Sequence, residues 1–148
     1  MLQNYFKNLY RRTMLEAYKL AHNEIGNALR EASSNCLDCG AHNGHKYDTL
    51  QNMTGLQRDK YHGVEWNEAL PLEAQEKGLN VTQGDLNSNL PFDSNSFDCV
   101  YGLSVLEHLL NPCKFLRESH RTLKDGGTLV ILTPNISTVF YRGLDFNG

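Results

Sequence analysis

The feature that most constrains the fold of this chain is a regular alternation of short strand-like and longer helix-like segments between residues 36 and 133. Strands are predicted over 36–39, 61–66, 79–83, 96–102 and 128–133. Helices are predicted over 44–53, 68–77 and 111–123. Because alternating strands and helices form βαβ units, the pattern predicts an α/β fold with a doubly wound, mostly parallel sheet. The ligand site of such a sheet lies beyond the carboxyl ends of its strands.

A helical pattern precedes the first strand. Apolar residues recur at three- and four-residue spacings from residue 3 to about residue 31, in two pieces, before the sequence SSN interrupts them. We therefore expect an N-terminal helical segment over 1–33 and a single core over 34–148.

Asparagine, glycine and proline mark the ends of the later helices. Asn67 is predicted to cap the helix over 68–77, which ends at Gly78. Asn111, followed by proline, is predicted to start the helix that ends near residue 123. The sequence DGG at 125–127 predicts a turn before the last strand.

The composition excludes several classes of protein. Of the 148 residues, 40% are hydrophobic and 21% are charged, which excludes a disordered tail, a collagen-like repeat and a coiled coil. The longest uninterrupted apolar run, 129–132, is far shorter than the roughly 20 residues of a membrane span. The N-terminal sequence lacks the apolar region of a signal peptide, so we expect a cytoplasmic protein. The net charge of −3 gives no indication of nucleic-acid binding.

A glycine turn follows the first predicted strand. Gly40 and Gly44 allow a sharp turn and a close approach of the backbone to a ligand. The negative charge of Asp38 at this place would repel a pyrophosphate but would suit an ammonium or hydroxyl group. An ordinary turn, with Asp38 as a helix cap, is the alternative.

Acidic residues also follow the next two predicted strands. Glu65 is suited to accept hydrogen bonds from ribose hydroxyls, and Trp66 could then lie against an adenine ring. Asp85 could accept a hydrogen bond from an adenine amine while Leu86 covers the ring. The alternatives are a solvated glutamate beside a tryptophan at the core edge, and a plain Asx turn at Asp85.

The ordered motifs LDCGAHNG, GVEW, QGDL, LPFDSNSFDCVYGLSVLEHLLNP and LRESHRTLKDGGTLVILTPN resemble those of class I S-adenosylmethionine-dependent methyltransferases. The resemblance covers roughly residues 34–135 and is closest to the group that acts on small molecules, including quinone-biosynthesis enzymes. It implies a Rossmann-like core, S-adenosylmethionine as the cofactor and a small-molecule methyl acceptor. It further implies the following cofactor-binding residues: Asp38, Gly40 and Gly44 around the methionine part, Glu65 and Trp66 at the ribose and adenine, Asp85 and Leu86 at the adenine, and Leu103 on the sulfonium side.

Two histidine-containing motifs suggest other chemistry. Cys36, Cys39, His42 and His45 are residue types that bind zinc, but the spacing is compressed and the cysteines lie in a strand, so we predict no metal. His108 follows Leu-Glu in a motif that resembles part of the metal site of small-RNA 3′-end methyltransferases, which carry a glutamate where this chain has serine. His108 is either a general base or a surface histidine, and the catalytic residues are not identified by the sequence.

Two other functions stay open at this point. A Rossmann-type NAD-dependent oxidoreductase is disfavoured because the chain lacks G-x-G-x-x-G spacing and places an acid beside the would-be phosphate. A non-catalytic S-adenosylmethionine-binding or scaffold domain would keep the same acids and glycines.

The resemblance also has consequences for the two ends of the chain. The family sheet has seven strands in the order 3-2-1-4-5-7-6, so the fifth strand, over 128–133, is expected at an edge. It is apolar and lacks charge or proline, which favours a fragment or naturally shortened domain that self-associates as a homodimer through this edge. The alternatives are coverage of the edge by 139–141 and a fragment of a longer enzyme that does not self-associate. The resemblance implies that the N-terminal segment lies over the cofactor pocket as a lid, with residues 1–12 becoming protected when the ligand binds; its aromatic residues are Tyr5, Phe6, Tyr10 and Tyr18. A helix that simply packs on the sheet is the alternative.

Overall fold

The computed structural model describes residues 2–31 and 33–134, with side chains described from residue 8 onward. Four α-helices and five strands follow one another in the described residues. They are α1 (Leu2–Ala28), β1 (Cys36–Cys39), α2 (Tyr47–Thr54), β2 (Tyr61–Glu65), α3 (Leu70–Glu76), β3 (Asn80–Gln83), β4 (Phe97–Leu103), α4 (Pro112–Thr122) and β5 (Leu123–Leu132). Short 3-10 helices, Arg58–Lys60 and Leu106–His108, precede β2 and follow β4.

The five strands form one sheet in the order β3-β2-β1-β4-β5, and every neighbouring pair is parallel. Cys39 of β1 lies opposite Val64 of β2 and Gly102 of β4, so the carboxyl ends of the central strands meet at one edge. This confirms the predicted α/β fold with a five-stranded, Rossmann-like parallel sheet. Among the described strands, β5 pairs only with β4 and lies at the edge, as expected.

Helices cover both faces of the sheet. On one face Ile25 of α1 and Leu50 of α2 pack in a cluster that includes Tyr61 of the sheet, and all three are fully buried. On the other face Phe115 of α4 packs with Val100, and both are also fully buried. The two clusters confirm the doubly wound arrangement, since each face of the parallel sheet has its own core.

The prediction of two N-terminal helical pieces is wrong, because α1 is continuous over Leu2–Ala28. The expected break came from a gap in the apolar spacing between Tyr10 and Leu15. That gap exposes polar side chains to solvent without interrupting the backbone, and the Thr13 hydroxyl donates a hydrogen bond of 2.9 Å to the Leu9 carbonyl within the helix. A solvated turn of helix therefore joins the two predicted pieces.

The asparagines predicted to start helices both bind backbone amides. The Asn111 Oδ1 atom accepts a hydrogen bond of 3.0 Å from the Lys114 N–H and caps α4 as predicted. The Asn67 Oδ1 atom accepts one of 2.8 Å from the Ala69 N–H, although α3 itself begins at Leu70.

Strand β5 begins earlier than predicted. Leu123 already pairs with Phe97, and Thr128 then pairs with Cys99, so the predicted DGG turn forms an irregularity within the strand. Gly126 takes a φ of +78° at this irregularity, which explains how the chain leaves and rejoins the ladder. The predicted cover by 139–141 lies outside the described residues.

A carboxylate–guanidinium pair fixes the long connection between β3 and β4 against α4. Arg121 donates to Glu118 with a shortest distance of 2.8 Å, and it also donates to the carbonyl oxygens of Leu90 and Phe92. Glu118 in turn accepts a hydrogen bond of 2.9 Å from the buried Leu90 N–H. Because this connection carries Asp85 and Leu86, the pair helps to hold one wall of the site described below.

We expect Glu118→Gln to lower the free energy of unfolding at pH 7 by about 1–3 kcal/mol, the scale of a hydrogen bond to a charged group. The hydrogen bond from Arg121 lowers the pKa of the Glu118 carboxyl. A lowered pKa stabilises the fold above the unfolded-state pKa, and this stability is lost as the pH falls through the folded-state value. The difference in free energy of unfolding between Glu118→Gln and wild type should therefore become smaller at acidic pH. Urea unfolding at a series of pH values measures this difference.

Glu76→Gln is the matched control, because Glu76 lies exposed on α3. It should leave the free energy of unfolding within about 0.5 kcal/mol of wild type, as surface substitutions do. Glutamates ordinarily titrate near about pH 4. A difference in free energy of unfolding between Glu118→Gln and wild type that stayed constant from neutral pH to below about pH 4 would contradict the role given to the pair with Arg121.

Candidate functional site

Two adjoining cavities open at the carboxyl ends of the strands, with volumes of about 470 Å³ and 530 Å³. Gly40, Glu65, Ser104 and Val105 line both cavities. The first, which we call the acidic cavity, is further lined by Trp66, Asp85, Leu86, Asn87, His108, Leu109 and Leu110. The second, which we call the histidine cavity, is further lined by Tyr18, His22, His42, His45, Lys46, Thr49 and Leu103.

Glu65 stands at the end of β2, between the two cavities. Its Oε2 atom accepts a hydrogen bond of 2.9 Å from the His42 N–H, and its Oε1 atom accepts one of 3.0 Å from the Asn67 N–H. A carboxylate has about four acceptor sites, so both oxygens can still accept hydrogen bonds from a ligand. The two backbone bonds hold the carboxylate in place before any ligand arrives.

The remaining predicted acidic-cavity residues lie together. The Asp85 Oδ1 atom accepts hydrogen bonds from the Asn87 backbone and side chain at 2.8 and 2.9 Å, which is the Asx turn considered above. Leu86 is buried and offers an apolar surface, whereas Trp66 is 69% exposed at the cavity. Asp85 and Asn87 thus form the Asx turn and also line the acidic cavity.

Gly40 lines both cavities and cannot be replaced without a clash. Its φ of +79° favours glycine, and a Cβ atom there would lie 2.6 Å from the Cγ2 atom of Val105. Gly40 and Val105 both line the two cavities, so this close packing lies where the cavities adjoin.

Asp38 lies outside both cavities, although we predicted it beside the ligand. It is fully buried, and its carboxylate accepts hydrogen bonds from the Lys46 Nζ atom at 3.1 and 3.3 Å and from the Tyr61 hydroxyl at 2.8 Å. Lys46 also donates to the Gly40 carbonyl oxygen at 2.8 Å. The ammonium group that Asp38 was expected to attract is thus a side chain of the protein itself.

Gly44 also lies outside the cavities, and Leu103 lies at one of them. Gly44 takes a φ of +74°, and a Cβ atom there would lie 2.4 Å from the Cδ1 atom of Leu79, so packing accounts for this glycine. Leu103, at the end of β4, is buried and lines the histidine cavity. Six of the eight predicted residues therefore line the two cavities, and Asp38 and Gly44 shape the turn behind them.

The sequence did not predict the histidine cavity. The Tyr18 hydroxyl of α1 and the Ser104 hydroxyl are hydrogen-bonded to each other at 2.8 Å, and Ser104 takes a positive φ of 56°. Of the two α1 residues that line this cavity, Tyr18 and His22, the resemblance led us to expect only Tyr18 over the pocket. The Nε2 atom of His22 is buried and has no hydrogen-bond partner among the described residues.

Two histidines face each other on the turn between β1 and α2. The rings of His42 and His45 meet edge to face, with centroids 5.4 Å apart and planes at 90°. Partial burial, and next the charge of Lys46, lower the pKa of His45. The same two causes in the same order lower the pKa of His22. Because an ordinary histidine pKa is about 6.5, a lowered value keeps these imidazoles neutral at pH 7.

The two cysteines of the compressed C-x2-C-x2-H-x2-H motif lie on opposite faces of the sheet. Cys36 packs in the cluster below α1, whereas Cys39 packs in the cluster below α4. Their thiols therefore cannot converge on one ion with the histidines. Among the described residues no group of histidine, cysteine and acidic side chains could hold a metal.

A family model described as a methyltransferase domain matches residues 37–131, which is more than half of the chain. The chain belongs to this family. The match spans β1 to β5, including the glycine turn and the acids of both cavities. The cofactor that this membership implies is S-adenosylmethionine, and a nicotinamide-dependent oxidoreductase is not favoured.

Individual methyltransferases resemble the chain over different lengths. A Mycolicibacterium smegmatis protein named as an S-adenosylmethionine-dependent methyltransferase is 28% identical over 145 residues, 97% of this chain and 50% of that protein. The ubiquinone biosynthesis O-methyltransferase of Maricaulis maris is 35% identical over 66 residues, 43% of this chain and 26% of that protein. The structure of Bacillus subtilis YcgJ has a TM-score of 0.62 and 26% identity, over 76% of this chain and 50% of that one. The chain thus spans half or less of these proteins.

No helix in the described parts of the chain is long and apolar enough to cross a membrane.

We expect Gly40→Ala to lower the free energy of unfolding more than Gly55→Ala does. Both glycines have a φ between +75° and +79°, a conformation that costs another residue about 1–2 kcal/mol. Only at Gly40 does the added methyl group meet a neighbour, Val105, and such overpacking adds about 1–3 kcal/mol. Urea unfolding of the two variants measures the difference.

Combining Gly40→Ala with Val105→Ala separates the clash from the backbone cost. The double variant should lose less unfolding free energy than the sum of the losses in the two single variants, because the clashing methyl group is gone. Equal losses of unfolding free energy in Gly40→Ala and Gly55→Ala would contradict the clash with Val105.

Proposed function

We propose that this chain binds S-adenosylmethionine across the two cavities and transfers its methyl group to a small-molecule acceptor. The observation that carries the proposal is the meeting of Glu65, Asp85 and Leu86 around one cavity, next to the bare backbone of Gly40. Carboxylates at the ends of β2 and β3 match the hydroxyls and amine of an adenosine, and Leu86 matches the face of its base.

The residues present fit the cofactor. In the acidic cavity Glu65 would accept from the ribose hydroxyls, with Trp66 and Leu86 against the adenine and Asp85 near its amine. Gly40 and Leu103 would lie along the methionine part, in the direction of the histidine cavity. Asp38 and Gly44 would act indirectly, by fixing the turn that carries Gly40.

Bound S-adenosylmethionine would supply a methyl group that its sulfonium already activates. The protein's own task is then to align donor and acceptor and to exclude water, since the transfer is an in-line displacement. The turn between β1 and α2 serves this alignment, because Glu65 and Lys46 hold it from two sides. A base is needed only where the acceptor must lose a proton.

The acceptor is proposed to be a small molecule that enters the histidine cavity. A volume of about 530 Å³ lies within the range of small-molecule pockets. The similarity to an O-methyltransferase of ubiquinone biosynthesis supports a hydroxyl-bearing acceptor of that general kind. The polar lining, with Tyr18, Thr49 and Ser104, suits an acceptor with more than one hydrogen-bonding group.

We expect Glu65→Ala to weaken binding of S-adenosylhomocysteine by about 1.5–3 kcal/mol, the scale of hydrogen bonds to a charged group. Isothermal titration calorimetry measures the change, and thermal unfolding checks that the variant stays folded. Glu76→Ala removes an exposed carboxylate on α3 outside the cavities and should bind like wild type. Unchanged affinity in folded Glu65→Ala would remove the ribose assignment.

A ligand panel separates this function from its alternatives. Fluorescence of the single tryptophan, Trp66, should respond to S-adenosylhomocysteine and not to NAD, because Trp66 lines the acidic cavity. A domain that binds S-adenosylmethionine yet forms no S-adenosylhomocysteine with any acceptor from a panel of phenols, catechols and amines would be a scaffold rather than an enzyme.

We also propose that the chain self-associates through β5. The strand has one neighbour in the described sheet, and its apolar residues from Leu129 to Leu132 are each only half-buried. An apolar edge of this kind favours pairing with another strand. Light scattering coupled to size exclusion should give twice the mass of 16.8 kDa at high micromolar concentration, and a clean monomer would contradict the pairing.

A further inference from the structure

The side chain of Asn87 joins two separate parts of the wall of the acidic cavity. Its Nδ2 atom donates a hydrogen bond of 2.9 Å to the Asp85 Oδ1 atom. Its own Oδ1 atom accepts one of 3.0 Å from the Asn111 N–H, from the segment that leads into α4. Asn87 also lines the cavity. Both ends of one amide are therefore used, one within the connection between β3 and β4 and the other across to α4.

The contact with Asn111 decides which way this amide faces. A backbone N–H can only donate, so the amide oxygen of Asn87 must lie toward Asn111 and its NH2 group toward Asp85. Asn111 is itself held in place, because its side chain accepts a hydrogen bond of 3.0 Å from the Lys114 N–H and caps α4. The start of α4 thus fixes the orientation of Asn87.

Asp85 keeps one carboxylate oxygen for a ligand. Its Oδ1 atom accepts hydrogen bonds from the backbone and the side chain of Asn87, at 2.8 and 2.9 Å. Its Oδ2 atom accepts no hydrogen bond from any residue that the structure describes. An ionised carboxylate can only accept hydrogen bonds, so the remaining oxygen suits a ligand group that donates one.

We propose that Asn87 is a positioning residue that makes the acidic cavity select a base with an amino group. The proposal rests on the proposed function, which puts the adenine of S-adenosylmethionine in this cavity. By holding the Oδ1 atom of Asp85, Asn87 restricts rotation of the carboxylate and keeps the Oδ2 atom in one place for the amine. A base without the amine would leave that oxygen desolvated and without a donor, which is costly.

The test compares S-adenosylhomocysteine with its 6-deamino analogue, in which hydrogen replaces the amino group of the base. Isothermal titration calorimetry is done at about pH 8, where carboxylates are ionised. We expect the wild-type protein to bind the amino ligand at least about tenfold more tightly, the scale of a hydrogen bond to a charged group. In Asn87→Ala the ratio of the two dissociation constants should fall below about threefold, because Asp85 is no longer held. A purely structural role would weaken both ligands alike and leave the ratio unchanged.

Asn87→Asp separates the contact with Asp85 from the contact with Asn111. The new carboxylate can still accept from the Asn111 N–H, but it has no N–H for Asp85 and repels that residue's charge. We expect the ratio to fall as far as in Asn87→Ala. Because asparagine and aspartate have the same shape, this variant also serves if Asn87→Ala does not stay folded in thermal unfolding.

Asn89→Ala is the matched control. Asn89 lies two positions further along the same connection, is exposed and lines neither cavity, so its loss should leave the wild-type ratio. Asp85→Asn gives a second check. In that background Asn87→Ala should change the ratio no further, because Asn87 acts through the carboxylate.

The outcomes keep the two proposals apart. An unchanged ratio in either folded Asn87 variant, or a further fall in the Asp85→Asn background, would overturn the positioning role. A wild-type protein that binds both ligands equally would also overturn it and would leave binding of the cofactor standing. A wild-type protein that binds neither ligand would refute the proposed function itself.

Discussion

The buried ion pair between Asp38 and Lys46 is the interaction on which the arrangement of the site depends. The carboxylate is fully buried, so it would be costly to leave without partners. Lys46 reaches it from the start of α2 and, with the same ammonium group, binds the Gly40 carbonyl. Tyr61 supplies a second donor to the carboxylate from β2. Removing the ammonium would leave a buried charge, and the turn between β1 and α2, with Gly40 and His42 on it, would lose its anchor.

The same turn shows a balance between stability and access. Gly40 provides space at the cost of backbone entropy, and His42 holds a side chain at the cost of backbone strain. The hydrogen bond to the Glu65 carboxylate and the Asp38–Lys46 ion pair offset both of these unfavourable contributions. Glu65 is therefore both a wall of the acidic cavity and a brace for the turn, so its loss should affect ligand and loop together.

Local sequence patterns predicted most of the fold, because strand alternation, glycine stops and asparagine caps are local signals. The acids at the ends of β2 and β3 were also predictable, since a parallel sheet brings those ends together. The partner of Asp38 was not, because a contact between Asp38 and Lys46 depends on how the intervening turn folds. The continuity of α1 was missed for a related reason: exposed polar residues interrupt an apolar pattern without interrupting hydrogen bonds. The histidine cavity needs α1 to pack across the sheet, which no local spacing encodes.

The distribution of the four cysteines gives the molecule a convenient chemical asymmetry. Cys36, Cys39 and Cys99 are buried, and burial raises the pKa of each thiol, that of Cys99 to about 12. Such thiols form little thiolate at neutral pH and react slowly. Cys113, in the first turn of α4, is exposed. Maleimide reagents should therefore attach at this one position of the native protein, so that a fluorophore or spin label can be placed on α4 without engineering the chain.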